Sequence, residues 1–279
     1  MVTAEGLTFR STRTVSLLRE SAVKSIEAAA DYSMATTIRF AGSGPGPQTL
    51  DGSSVQFLKL LPAGAEPSLI ASTVPPRGSI LELGAGVGRI THPLLELGYR
   101  VTAVDNSSEM LAEISGATTV LSDIEDLTLG TSFDAVVLGS FLIHAPAPGA
   151  RAALLEVCRR HVKSSGVVLI QHYRDGWPAS AVPGFIGEKD GIKAFVDEVA
   201  HDGRLVRMTL RHEAASGTWM QSFTAETLSQ SELDEALAHA GLSFERHLDQ
   251  DPRWLLARPT SMGTASIVPD ESRNHNTMF

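Results

Sequence analysis

The stretch Ile80 to Gly88, read Ile-Leu-Glu-Leu-Gly-Ala-Gly-Val-Gly, constrains this chain more than any other part of it. A short apolar run ends in an acid, and Gly84, Gly86 and Gly88 follow at alternate positions. A helix-like pattern then runs from Arg89 to Leu97 and is closed by Gly98. Strand, glycine turn and helix form the unit that brings backbone N–H groups up to a nucleotide-like ligand.

From Ser79 the chain alternates strands with helices. Arg100–Asp105 is a second apolar strand ending in an acid, and Ser107 caps a helix expected through Ile114. Thr119–Leu121 is a short third strand followed by Asp123, and the almost wholly apolar Phe133–Leu138 is a fourth. Ala150–Val162 reads as a helix and Gly166–His172 as a fifth strand. The alternation predicts an α/β fold, a Rossmann-like doubly wound and mostly parallel sheet, which two late strands bring to seven.

After Tyr173 the rhythm breaks. Trp177–Gly191 is rich in Pro and Gly, Ile192–His201 reads as a helix, and Arg207–Glu213 with Trp219–Thr224 reads as an antiparallel pair. Ser231–Ala240 is a helix stopped by Gly241, and Phe244–Leu248 and Trp254–Ala257 are late strands. Ahead of the core, Val15–Ala30 has helical spacing, Ala41–Pro47 reads as irregular, and Gln56–Leu61 as a turn or two of helix. The expected organisation is an N-terminal helical cap over 1–77, a core over 78–258 with an acceptor-side insertion at about 174–224, and a mobile tail over 259–279.

Charge and cysteine usage exclude several classes. The 279 residues carry a formal charge of -9, which disfavours a nucleic-acid partner, whose binding draws on Lys and Arg. The single cysteine, Cys158, leaves no intrachain disulfide and no Cys-based zinc site, and no metal is expected. No apolar run approaches the about 20 residues that span a membrane, and the first residues lack the apolar segment of a signal peptide. The expectation is a cytoplasmic protein without a membrane partner.

Two ligands suit a glycine loop in such a sheet. The dehydrogenase pattern Gly-x-Gly-x-x-Gly fails at its third position, where Arg89 stands. Glu82, two residues before Gly84, would repel a pyrophosphate. A zwitterionic amino-acid end fits better, its carboxylate on backbone N–H groups and its ammonium near the acid.

Glu82-Leu83-Gly84-Ala85-Gly86-Val87-Gly88 resembles the first motif of class I S-adenosylmethionine-dependent methyltransferases. The resemblance implies S-adenosylmethionine as cofactor, with S-adenosylhomocysteine as product. It assigns Asp105, with Asn106 beside it, to the ribose hydroxyls, and Met110 to the adenine face. Asp123 and Ile124 match the segment that meets the adenine amino group and ring. Leu138 and Ser140, at the end of the fourth strand, lie beside the methionine part. Tyr32 resembles the aromatic residue that covers the cofactor in many small-molecule members, and Arg39 is placed to meet its carboxylate. The matching region is about Gly78–Tyr173, and the helical cap with a late β insertion resembles enzymes that tailor natural products.

Methyl transfer is an in-line displacement, which needs a base only when the acceptor must lose a proton. His144, after the fourth strand, is the first candidate for a base or an acceptor-orienting group. His172 and Tyr173 stand at the carboxyl end of the fifth strand, on the binding edge of an open sheet, and Trp177 and Trp219 are candidate walls. The Pro-Pro-aromatic motif of amino-methylating DNA enzymes, the Pro-Cys pair of cytosine C5 enzymes and an acidic magnesium cluster are all absent from the sequence. The acceptor is therefore expected to be a small molecule or short peptide, methylated on N, O or C. The N-terminal helical region is the expected surface for any self-association. A methyltransferase-like protein that binds the cofactor without transferring methyl, as a cyclase or regulatory partner, stays open as the alternative.

Overall fold

The computed structural model describes residues 39–174 and 176–260. The helix expected at Val15–Ala30, Tyr32 and the tail beyond 260 lie outside the described residues.

Two sheets organise the molecule. The core sheet contains β2 (Ser79–Leu83), β3 (Arg100–Asp105), β4 (Thr118–Leu121), β5 (Phe133–Leu138), β6 (Val162–Gln171), β11 (Leu242–His247) and β12 (Trp254–Pro259), in the order β11-β12-β6-β5-β2-β3-β4. The pairs among β2, β3, β4, β5 and β6 are parallel, whereas β12 runs antiparallel to β6 and β11 antiparallel to β12. Strand order reverses between β2 and β5, and in open α/β sheets a ligand crevice lies at the carboxyl ends of strands at such a point.

The core strands are apolar on both faces because both faces are covered. Leu81, Val136, Leu138, Val168 and Ile170 pack on the side of α5 (Ala150–His161) and α6 (Gln230–His239). Ile80, Ala135, Val137, Val167 and Leu169 point the other way, toward α2 (Glu66–Ala71) and α3 (Thr91–Glu96). Strand periodicity of two distributes one continuous apolar run over two buried layers. The caps follow the sequence: Ser107 accepts the Met110 amide to open α4 (Ser108–Leu111), and Ser229 with Glu232 forms a complete capping box on α6.

The second sheet departs from expectation. It has five strands in the order β1-β10-β9-β8-β7, all antiparallel: β1 (Ala41–Ser43), β7 (Gly184–Lys189), β8 (Ile192–Asp202), β9 (Leu205–Ala214) and β10 (Gly217–Glu226). The expected β9/β10 pair is present, but the segment read as a helix, Ile192–His201, is strand β8. A bulge between Val196 and Glu198 is the reason. Val196 opposes Leu210 and Val199 opposes Met208, so two residues three apart share one face and imitate a helical period. Ala41–Ser43, read as irregular, pairs with Ser222–Met220 of β10 as β1. The described part of the N-terminal region is thus a strand plus the short helices α1 (Val55–Leu58) and α2, and not helical throughout.

Candidate active site

The glycine loop leaves β2 and folds back over the end of β3. The amides of Gly84 and Ala85 both donate to the Val104 carbonyl at 2.9 Å, and the Gly86 amide donates to Asp105 Oδ2 at 2.8 Å. Gly86 and Gly88 have φ of 55° and 82°, the left-handed region that glycine adopts without a Cβ penalty. The other oxygen of Asp105 accepts the Ser107 amide at 3.0 Å. Burial raises the Asp105 carboxyl above its ordinary value, against the pull of these amides.

Glu82, 3% exposed, sits below the loop and accepts the Thr91 hydroxyl at 2.6 Å. Desolvation pushes its carboxyl up to about 7, opposed by Thr91 and Arg89. On the other side of Asp105, Asn106 Nδ2 donates to Asp123 Oδ1 at 2.9 Å, and the Ser122 amide donates to the Asp105 carbonyl at 3.1 Å.

These groups line two adjoining cavities that share Leu58, Gly84, Gly86 and Ser140. The larger, about 230 Å³, is bounded by Asp105, Asn106, Met110, Asp123 and Ile124, and the smaller, about 50 Å³, reaches Glu82, Ala85 and Arg89. Two expected cofactor positions lie outside both cavity linings. Leu138 is wholly buried among core residues because strand alternation turns it toward α5, and Gly139 and Ser140 border the cavity instead. Gly88 lies outside both linings and gives room to His92 and Ile114, which a Cβ there would meet at 2.8 and 2.9 Å. Arg39 donates its amide to Thr224 and borders a groove on the second sheet, away from the glycine loop.

The wall after β5 is backbone-strained. Ser140 and Phe141 have φ of 53° and 57°, although neither is glycine. The Ser140 amide donates to Gln171 Oε1 at 2.8 Å, Gln171 Nε2 donates to Glu66 at 3.0 Å, and Glu66 pairs with Arg89 at 2.5 Å. This relay ties the end of β6, α2 and the glycine loop to the strained pair.

The candidate catalytic residues are brought together, but His144 is fully engaged. The Tyr173 amide donates to His144 Nε2 at 3.0 Å, so Nδ1 carries the proton and donates to the Glu226 carbonyl at 2.8 Å. Desolvation pushes its imidazole down to about 4. The Tyr173 ring stacks on Phe141 at 4.4 Å and meets the edge of Trp177 at 4.4 Å, and burial raises its hydroxyl pKa. His172 hydrogen-bonds through Nδ1 to the Tyr173 carbonyl at 2.9 Å and borders neither cavity. Trp219 is buried against Phe57 and donates to the Pro45 carbonyl at 2.9 Å, which makes it a packing residue.

Sequence reasoning missed Thr49, Asp51, Ser53 and Leu58, which close the larger cavity from outside. Their only local signal is the turn-forming Asp51-Gly52-Ser53.

Residues 81–170 match the family model described as "Methyltransferase domain". Over this segment the chain is similar to methyltransferase domains of the class that uses S-adenosylmethionine, and the similarity supports that compound as the cofactor. A putative methyltransferase, YqeM, of Bacillus subtilis (strain 168) is 36% identical over 77 residues, which are 25% of this chain and 31% of that protein. The chain thus spans about a third of the length of the curated relative it matches. The CcbJ methyltransferase of Streptomyces caelestis is similar over 71% of this chain and 95% of its own, at 20% identity and a TM-score of 0.60. S-adenosylmethionine-bound CalS10 of Micromonospora echinaspora, an amino pentose methyltransferase of calicheamicin biosynthesis, covers 92% of this chain and 100% of its own, at 18% identity and a TM-score of 0.56. At these identities the two structures bear on fold alone. The glycine loop fits the cofactor: a Cβ on Gly86 would project into space open except for Leu58 Cδ1 at 3.7 Å, so the loop forms a cradle that a side chain would fill.

Among the described residues no helix is long and apolar enough to cross a membrane, and no group of His, Cys, Asp and Glu is placed to hold a metal.

Proposed function

We propose that this protein transfers a methyl group from S-adenosylmethionine to an amine of a small polar molecule bound between the core and the antiparallel sheet. When bound, the cofactor supplies an electrophilic methyl group on a sulfonium. The chain's own residues hold the ends of that ligand. Asp105 and Asn106 are suited to the ribose hydroxyls, Asp123 and Ile124 to the adenine, and Glu82 with the loop amides to the amino-acid end. The strained Ser140–Phe141 segment and Tyr173 border the side from which an acceptor approaches, and they exclude water there.

The observation that carries the choice of an amine is the state of His144. Both its ring nitrogens are bound to backbone, which leaves no lone pair for an acceptor proton. The raised Tyr173 hydroxyl offers no phenolate near neutral pH. A neutral amine attacks without prior deprotonation, whereas a hydroxyl acceptor requires a base. His144 and Tyr173 are then orienting groups, and the amino pentose chemistry of the CalS10 relative agrees with this reading.

The test is methyl-labelled S-adenosylmethionine incubated with the protein and a panel of amino sugars, amino acids and phenols. Label on an amine is the expected result. Label confined to hydroxyls overturns the choice of amine, and tight cofactor binding with no labelled product overturns methyl transfer itself in favour of a cofactor-binding partner.

A further inference from the structure

The second sheet reaches the cofactor cavity through one segment. From β1 the chain turns back at Gln48–Ser54, closed by an isolated bridge between those two residues, before entering α1. Within the turn, the carboxylate of Asp51 accepts the Thr49 hydroxyl, the Ser53 amide at 3.2 Å and the Ser53 hydroxyl at 2.9 Å. Thr49, Asp51 and Ser53 all border the larger cavity, together with Asp105, Asn106 and Asp123.

The turn is welded to the sheet on its other side. Gln221 of β10 donates through Nε2 to the Ser53 hydroxyl at 3.1 Å and to the Asp51 carbonyl at 3.4 Å. Gly42 of β1 and Gly52 of the turn lie back to back: a Cβ on Gly42 would come within 2.2 Å of the Gly52 carbonyl oxygen. A Cβ on Gly52, which has φ of 82°, would come within 2.4 Å of Ala41. Neither position admits a side chain without displacing the turn. Beside it, Leu58 of α1 joins a cluster with Val87 and Met110 next to the cavity and another with Phe57 and Trp219 under the sheet.

We propose that the Gln48–Ser54 turn is the outer wall of the cofactor site at its adenosine end, and that Gln221 of the antiparallel sheet positions it. The inference rests on the cofactor site described above and extends it. Cofactor affinity is set by the core loop and also by a sheet strand far downstream of Asp105 in the chain, through the hydrogen bonds of Gln221. Asp51 adds a second carboxylate to the cavity that Asp105 borders, and the charge of Asp51 is among the causes that raise the Asp105 carboxyl after desolvation.

The experiment is calorimetric titration of the full chain with S-adenosylhomocysteine and, separately, with 5′-methylthioadenosine, which lacks the amino-acid end. Gln221 borders neither cavity, so Gln221→Leu changes the wall only through the turn. The expected result is a roughly three- to ten-fold weaker Kd for both ligands in Gln221→Leu and in Asp51→Ala. The double variant is expected to lose little more than the worse single variant, because both act through one turn. Asp105→Ala is the control and is expected to abolish binding. Unchanged affinity in both single variants beside a dead Asp105→Ala overturns the turn as a wall, as does strict additivity in the double variant. Normal binding by Asp105→Ala instead overturns the cofactor site itself. Should Gln221→Leu fail to fold, Asp51→Ala decides between these outcomes by itself, since Asp51 is exposed and its loss leaves no buried group unpaired.

Discussion

The Tyr173 amide donates to His144 Nε2 at 3.0 Å, and this one bond fixes the tautomer of the histidine nearest the proposed acceptor side. The imidazole is buried neutral, its pKa down at about 4. An unfolded chain binds that proton near the ordinary value of about 6.5. Between about 6.5 and 4 the unfolded state therefore holds more protons, and stability falls as the pH is lowered. The loss approaches about 3 kcal/mol when the window is crossed. Urea denaturation at pH 7.5, 5.5 and 4.5 is expected to show a shallower acid limb in His144→Asn than in the native chain. Equal limbs would place the acid sensitivity elsewhere.

Glu82 works with the opposite sign. Its carboxyl is raised to about 7 from an ordinary 4.5, so from about 4.5 to 7 the folded state holds the extra proton and stability falls as pH rises. The two slopes oppose each other over much of their range, so each partly masks the other in the native chain. Glu82→Gln keeps an acceptor for Thr91 and is expected to be more stable than the native chain at pH 8, by up to about 3 kcal/mol, and equal to it near pH 4.5.

With the amino-acid end of the cofactor placed at Glu82 as proposed, cofactor binding is expected to depend on pH. An ammonium beside Glu82 favours the carboxylate, so binding of S-adenosylhomocysteine at pH 6 is expected to release a proton. Calorimetry in two buffers of different ionisation enthalpy measures that release directly. It is expected to vanish in Glu82→Gln, and a release that persists would assign the proton to another group.

Gly86 and Gly88 are expected to fail differently. Alanine at 86 adopts a left-handed φ at a cost of about 1 kcal/mol and meets only Leu58, so the fold tolerates it while the cradle is filled. Alanine at 88 has the same strain and also collides with His92 and Ile114. Gly86→Ala is therefore expected to lose cofactor affinity about ten-fold or more with a small fall in Tm, and Gly88→Ala to lose several degrees of Tm. Thermal melts beside titrations decide it, and the reverse pattern contradicts the cavity assignment.

Gln171 holds the strained pair through the Ser140 amide. Gln171→Leu leaves that amide without its acceptor and Glu66 without one of its donors, at a cost of about 1–3 kcal/mol in stability. The larger effect is expected in kcat, because relaxation of Ser140 and Phe141 displaces the acceptor wall, while the KM for cofactor changes less. Equal changes in the two constants would make Gln171 a purely structural residue.

The core and its cofactor were legible in the sequence because their determinants are local. A strand end and three glycines shape their own backbone, the acids Glu82, Asp105 and Asp123 stand at or just past the ends of consecutive strands, and parallel strands buried on both faces show as apolar runs. Leu138 lies in the core, and not on the cavity, because register and not residue type decides which face a strand residue joins. The β8 strand was misread because its bulge spaces Val196 and Val199 as a helix would, and only pairing with β7 and β9 reveals the strand. The turn at Asp51 and the engagement of both His144 nitrogens were invisible for a related reason. They depend on Gln221, Tyr173 and Glu226, residues brought close by β-pairing and packing across long separations. Sequence by itself determined what the core binds, since that information sits in short-range backbone geometry. Tertiary structure decided how the site is walled and whether its histidine has a free lone pair, since long-range hydrogen bonds set both.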